Sequence, residues 1–401
     1  MQYSLDEEFF DNTVFVIASP QEAEGMAILA KGHIVKYCII VNYIDYTSSV
    51  QQEIIRRVIK TTKIQNLFSI NLYLPRIQLN KGNRFECWKQ MQFDRHAINT
   101  FDKKFFDGKL FCKKMNFVVS SLSPFISLSK YEKRYIYIME HAPADSVHRI
   151  EDKLFQTEHV EKSSSSFQWW KNGWKYLKHM DSIFFNLMIK ILYPYFFSLY
   201  KIEQGFTWVE KVDDSYMFID PREYPLEVEF SPFKDELNNV KKTLLLVTTA
   251  PQAFKDDPID LAEQGQQIDY PNMYLQIANK SIKKEEFVVF KLHPFLAETM
   301  GNEDLEAFAN SIMILLRKHG YINVVNFESF FLDTYEAKMP VEIFLKALNI
   351  NKIVGDFSST MEIVQDWGDI EIFSDLRFMK IFEGNRERRM RILGGKYHVV
   401  N

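Results

Sequence analysis

The sequence has little that would tie it to a disulfide scaffold, a metal centre or a membrane span. Only three cysteines occur in 401 residues, Cys38, Cys87 and Cys112, and none stands in a CxxC pair. They read as buried or free thiols of a reducing compartment, not as a disulfide frame or a zinc cluster. No run of 18 uncharged apolar residues is present, so no transmembrane helix is expected. Met1 to Asn12 carries acids and lacks the basic-then-apolar order of a secretory signal, and the expectation is a cytoplasmic chain. An excess of one charge is also missing. Lys and Arg number 49 against 53 Asp and Glu, a formal net charge of -4, which argues against nucleic-acid binding through a broad basic field. No Asp-x-Asp motif stands at an expected strand end, and no His, Cys and Asp residues cluster at metal-ligand spacing. Neither a metal nor another cofactor is therefore expected. No short-period internal repeat is visible.

What is present is enough for two packed cores. A length of 401 residues with 46% hydrophobic side chains suggests two domains. Short apolar, β-branched runs alternate with helical patterns. Strands are expected over Asn12–Ser19, His33–Tyr43, Leu67–Leu74, Asn116–Ser120 and Tyr135–Met139, with helices over Gln21–Lys31, Ser48–Thr62 and Arg84–Phe106 between them. A Ser-rich loop (Ser163 to Ser166) and an aromatic stretch to Tyr200 follow. The less regular segment Asp213–Asn239, with Pro221, Pro225 and Pro232, reads as a connector. A second series then begins: strands over Thr243–Val247, Glu286–Leu292, Ile322–Phe327, Lys352–Asp356 and Ile370–Phe373, and helices over Met273–Asn279, Asp304–His319 and Val341–Ala347. Such alternation indicates βαβ units around parallel sheets. The expected organisation is an α/β chain with one Rossmann-like domain over residues 1–225 and another over 240–375. Residues 376–401 form a tail that packs back or lies on the surface.

Three constellations can carry chemistry. Lys291-Leu292-His293-Pro294 follows an apolar strand, so the imidazole of His293 stands at a carboxyl end, stiffened by Pro294. There it can donate to a phosphate or protonate a leaving group, or it can simply turn a corner. Gly355-Asp356-Phe357-Ser358-Ser359-Thr360 leads from a strand into a helical run. Hydroxyls and free backbone N–H groups at that point suit an anion, and they equally suit an ordinary helix cap. Glu140-His141-Ala142 ends a strand of the first half, where a carboxylate can serve as general base. Glu140 can also cap a turn or pair with Arg149, and Glu151-Asp152 is a competing acidic pair.

The order acidic strand end, His-Pro, Ser-Ser resembles the bacterial sialyltransferase and polysialyltransferase families of GT-B fold. On that resemblance Glu140 corresponds to the base, His293-Pro294 to the residues that stabilise the departing CMP phosphate, and Ser358-Ser359 to the pair that binds it, with Thr360 beside them. His141 stands where the families carry a second acid and can assist, and Ala142 stands in place of a Gly. Ser19-Pro20-Gln21 is similar to their first loop on the acceptor side. Met339-Pro340-Val341-Glu342 is similar to a segment whose Glu lies near the nucleotide. Thr249 and Gln252, after the first strand of the second half, are expected at the cytidine. The resemblance implies two Rossmann-like domains facing across a cleft, the first for acceptor and the second for donor. It implies a metal-independent, inverting transfer of a sialic, pseudaminic or legionaminic acid from its CMP donor to a bacterial surface glycan or glycolipid. Transferases using CMP-Kdo or CDP-glycerol share His-Pro and Ser-Ser, and a non-catalytic subunit of glycan assembly stays open as well. Trp169, Trp170 and Trp174 with Lys171, Lys175 and Lys178, and the basic run Arg386–Arg391, fit either ordinary protein surface and core or a peripheral contact with the inner membrane face.

Overall fold

The computed structural model describes residues 5–44, 47–73, 84–107, 115–119, 136–140, 202–210, 216–248, 269–293, 296, 300, 302–355, 358–374 and 398–399. The chain divides into two compact units. One comprises Met1–Trp208 with Val212–Ile219, and the other Val209–Lys211 with Asp220–Asn401.

The first unit is built on a parallel sheet. Its strands are β1 (Thr13–Ile17), β2 (Val35–Tyr43), β3 (Ile64–Leu72), β4 (Asn116–Val119), β5 (Ile136–Glu140), β6 (Ile202–Thr207) and β7 (Tyr216–Phe218), in spatial order β3-β2-β1-β4-β5-β6-β7. β1 is buried at every position, as an unbroken apolar run at the middle of a parallel sheet must be when both faces are covered. β3 alternates buried and exposed over much of its length, which marks its edge position. Helix α1 (Glu7–Asp11) precedes β1, and α2 (Pro20–Leu29), α3 (Ser49–Thr61) and α4 (Arg84–Phe106) stand between successive strands. Ser48 caps α3 by accepting from the Gln51 N–H, and Ile54, Ile55, Val58 and Ile59 form its buried stripe. Phe101, Phe105 and Phe106 of α4 close over Phe68 of β3 with ring centroids 5.1 to 5.8 Å from it. Of these rings Phe101 is buried, whereas Phe105 stays 44% exposed.

The second unit repeats the plan. After a short helix α5 (Pro232–Glu236) come β8 (Lys242–Val247), α6 (Tyr270–Ser281), β9 (Phe287–Leu292), α7 (Asn302–Lys318), β10 (Val324–Asn326), β11 (Ile350–Gly355), α8 (Ser359–Val364), β12 (Glu371–Ser374) and β13 (His398–Val399). The spatial order is β10-β9-β8-β11-β12-β13, parallel throughout. Counted from each unit's own first strand, both sheets run 3-2-1-4-5-6, the doubly wound Rossmann order, and the first unit adds a seventh strand. Two such units in one chain are the parts of the GT-B plan.

Several expectations differ from the structure. Val341–Ala347 is not an α-helix; a 3-10 turn spans Val341–Phe344, after two similar turns at Phe327–Phe330 and Glu336–Lys338. Val341, Ile343, Phe344, Leu345 and Leu348 are all buried, so apolar residues surround the segment and burial, not a 3.6-residue period, sets its path. Tyr216–Phe218 falls within the expected connector yet forms β7 of the first sheet. β6 escapes a pattern search because it reads Ile-Glu-Gln-Gly-Phe-Thr. Its Gly205 is required by packing, since a side chain there would run into the Tyr216 ring on β7. In the segment expected as a tail, His398–Val399 pairs with Phe373 and Ser374 as the sixth strand of the second sheet.

Candidate active site

In a doubly wound sheet, ligands bind beyond the carboxyl ends of the strands where the strand order reverses. In the second unit that point lies between β8 and β11, with β9 on the far side of β8. His293 leaves β9 there. Its backbone N–H donates to Val247 O of β8 at 2.9 Å, and its carbonyl accepts from Leu296 N at 2.9 Å, so the turn after the strand is held at both ends. His293 is exposed at the end of the strand, yet desolvation by the neighbouring chain, and then the ammonium of Lys291, push its pKa from 6.5 down to about 4. At neutral pH the ring is uncharged: one nitrogen can donate a hydrogen bond and the other can take up a proton when negative charge arrives.

On the other side of the switch point β11 ends at Gly355, which approaches β8 too closely for a side chain. A Cβ there would lie 2.8 Å from Leu246 O, a backbone atom that cannot swing away. Gly355→Ala should therefore cost about 1–3 kcal/mol, as overpacking of a fixed site does, and chemical denaturation measures it. A variant as stable as the parent would show that β8 and β11 can part at this point.

Ser358 is the N-cap of α8. Its hydroxyl oxygen accepts from the Met361 N–H at 3.4 Å, so the capping role weighed for it from sequence is present, and its hydroxyl proton is left to donate. Ser359 opens the helix, and both serines are half-buried. Thr360 and Glu342 are buried, at 7% and 4% exposure. Burial raises the Glu342 pKa, and the nearby Thr360 hydroxyl, its own backbone N–H and the charge of Lys291 act against that rise. Lys291 is itself buried. Its Nζ donates to Ala337 O at 2.6 Å and sits 4.4 Å from the Phe327 ring centroid. Burial lowers it to about 8, with Glu328 and Glu342 opposing. An ionisable residue inside an otherwise apolar strand was its signal in the sequence.

The first unit corrects one expectation. Ser19, Pro20 and Gln21 are not a loop: α2 begins at Pro20, which is buried, and Gln21 lies on its first turn. Ser19 accepts from Glu22 N at 3.3 Å, while the Glu22 carboxylate accepts from Ser19 N at 3.2 Å, a complete capping box. Ser-Pro-x-Glu was the signal, and Glu22 was overlooked. Glu140 is the last residue of β5, in register with Thr207 of β6, and so stands at a carboxyl strand end as the pattern required. His141, Thr249, Gln252 and Pro294 lie outside the described residues, as do the aromatic segment from Trp169 to Tyr200 and the basic run Arg386–Arg391. Among the described residues no group of three His, Cys, Asp or Glu side chains can hold a metal ion, and no helix is long and apolar enough to cross a membrane.

No family model and no curated protein matches the chain. Similar solved structures include a protein assigned as a UDP-N-acetylglucosamine 2-epimerase from Listeria monocytogenes, 9% identical, with 94% of this chain and 81% of that one aligned at a TM-score of 0.43. A UDP-glucosyltransferase from Polygonum tinctorium is 9% identical over 90% of this chain and 79% of its own, at a TM-score of 0.45. Os79 from O. sativa, in complex with UDP, is 8% identical over 90% and 81% at 0.40. Likenesses this distant carry no argument about function, and the α/β assignment rests on the strand orders of the two sheets.

Proposed function

We propose that the chain is a GT-B glycosyltransferase that binds a nucleotide-activated sugar at the switch point of its second unit, and that the donor is a CMP-nonulosonic acid. The observation that supports this reading is the placement of His293 and Ser358–Ser359 at the ends of β9 and β11, on either side of β8. A neutral imidazole donor and two hydroxyls suit a single phosphate. A diphosphate leaving group carries more charge and more often needs a cation or several basic side chains. The three-motif order supports a CMP donor, since it resembles the order of the CMP-dependent families.

In the proposed reaction the acceptor hydroxyl oxygen attacks the anomeric carbon as Glu140 takes its proton. The bond from that carbon to the phosphate oxygen breaks, and CMP leaves with the electron pair. His293 and the Ser358–Ser359 turn meet the charge growing on the phosphate. Inversion follows from a single displacement.

The test combines binding and turnover. CMP should raise the melting temperature where UDP does not. Incubation with a panel of CMP-sugars and a glycan acceptor should yield a product of the expected mass, at a rate unchanged after chelation with EDTA and desalting. Stabilisation by UDP alone, with a rate restored by manganese, would assign a nucleoside-diphosphate donor instead. Binding of CMP without turnover would make the chain a glycan-assembly subunit.

A further inference from the structure

One buried row of the second sheet is not apolar throughout. The strand registers pair Lys291 of β9 with Leu246 of β8, Leu246 with Gly355 of β11, and Gly355 with Ser374 of β12. Residues paired in this way point to one face of the sheet. Val354 and Phe373, each one residue earlier on β11 and β12, pack into the core with Tyr274, Ile277 and Ile312, so the row faces the opposite layer. Met361 of α8 lies in that layer, its methyl 3.5 Å from where a Cβ on Gly355 would stand. Gly355 and Ser374 end their strands, and Leu246 and Lys291 stand one residue short of the ends of theirs. The row therefore lies at the carboxyl ends, where a doubly wound sheet takes its ligand.

A row covered by protein in a parallel sheet is expected to hold Val, Ile or Leu. Two of the departures are accounted for within the chain. Gly355 is demanded by the close approach of β8, and the Lys291 ammonium donates to Ala337 O at 2.6 Å. Ser374 is different. It is 0% exposed, and its Oγ has no hydrogen-bond partner among the described residues. A hydroxyl withdrawn from water without a partner destabilises a fold, and alanine would occupy the same place without that cost.

Accepting the carboxyl ends of β9 and β11 as the donor phosphate site, we infer that Ser374 is a further binding residue of that site, whose hydroxyl is paired only when the nucleotide is bound. β12 lies beside β11, the strand that leads into Ser358 and Ser359, so Ser374 adds a hydroxyl on the next strand end. The side chain is enclosed in the ligand-free chain. Its pairing therefore runs through a water drawn in with the phosphate or through a small shift of the strand end. Both leave the same signature, stability given up in the free protein and recovered as affinity.

The experiment compares the full chain with Ser374→Ala and Ser374→Cys, reading the melting temperature without ligand and the calorimetric affinity for CMP. Alanine removes the hydroxyl and leaves little to repack, whereas cysteine keeps a similar shape with a weak donor. Ser374→Ala should melt at or above the parent temperature and bind CMP about tenfold more weakly, the loss expected of a hydrogen bond to a charged group. Ser374→Cys should fall between the two in affinity. A residue that serves only the fold cannot give this combination, because its loss lowers stability. Ser374→Ala with the parent's CMP affinity overturns the inference while leaving the nucleotide site standing. Stability and affinity falling together overturn it as well, since the hydroxyl would then be holding the fold. If the parent binds UDP in place of CMP, the CMP donor falls, and the same loss of affinity measured with UDP still upholds Ser374. A parent that binds neither nucleotide removes the phosphate site and this inference with it.

Discussion

His293→Ala should lower turnover with a CMP-sugar by a factor on the order of 100 or more while the protein stays folded, since preorganised donors at a developing charge commonly contribute that much. The backbone bonds that fix the turn, His293 N to Val247 O and Leu296 N to His293 O, do not involve the side chain, so its removal spares the local fold. The loss should appear chiefly in kcat, because the charge it meets is larger in the transition state than in the bound donor. The pH dependence has a definite sign. The folded-state pKa is depressed from 6.5 to about 4, so any stability this group contributes is present above about pH 6.5 and is lost as pH falls toward 4, and His293→Ala should flatten that part of the stability profile. Turnover within a few-fold of the parent would remove His293 from the chemistry.

Glu140→Gln should reduce transfer by a factor on the order of 100 to 10,000, the range of a general base, and leave CMP affinity unchanged. Gln keeps the shape of the side chain and loses its basicity. Glu140 belongs to the first unit, at the end of β5, whereas the phosphate-facing residues belong to the second, so the two properties should separate cleanly. The same change at Glu151 and Asp152→Asn should be tolerated. Activity in Glu140→Gln together with a dead Asp152→Asn would move the base to the following loop. Rate and affinity falling together would point to a damaged fold.

The strands most plainly legible in the sequence were the largely buried ones. Thr13–Ile17 and Thr243–Val247 are buried at every position and Phe287–Leu292 at all but its ends, and a strand covered on both faces reads as an apolar run. The two sheet orders follow from such runs alternating with helices. β6, β7 and β13 were hidden for the opposite reason. They are short or polar, and they exist because the growing sheet offers an edge to pair with, which no local period records. In the site, His293 and Ser358 were visible because each follows a legible strand. The burial of Lys291, Glu342 and Thr360 was not, since a motif gives a residue's position along the chain and says nothing of what covers its side chain. Glu342, expected near the nucleotide by resemblance, is buried at 4% exposure.

Cys38, in the middle of β2, is fully enclosed, and burial pushes its thiol from 9.0 up to about 12. A thiol held in that state is a poor nucleophile, because only the thiolate reacts. Alkylation at this residue must then wait until the first sheet opens. The rate at which a peptide carrying labelled Cys38 accumulates, read by mass spectrometry, becomes a clock for the opening of the first unit alone. Donor analogues that protect the second unit should slow that clock only to the extent that the two units unfold as one cooperative body, so a single native sulfur measures how strongly the halves of this protein depend on each other.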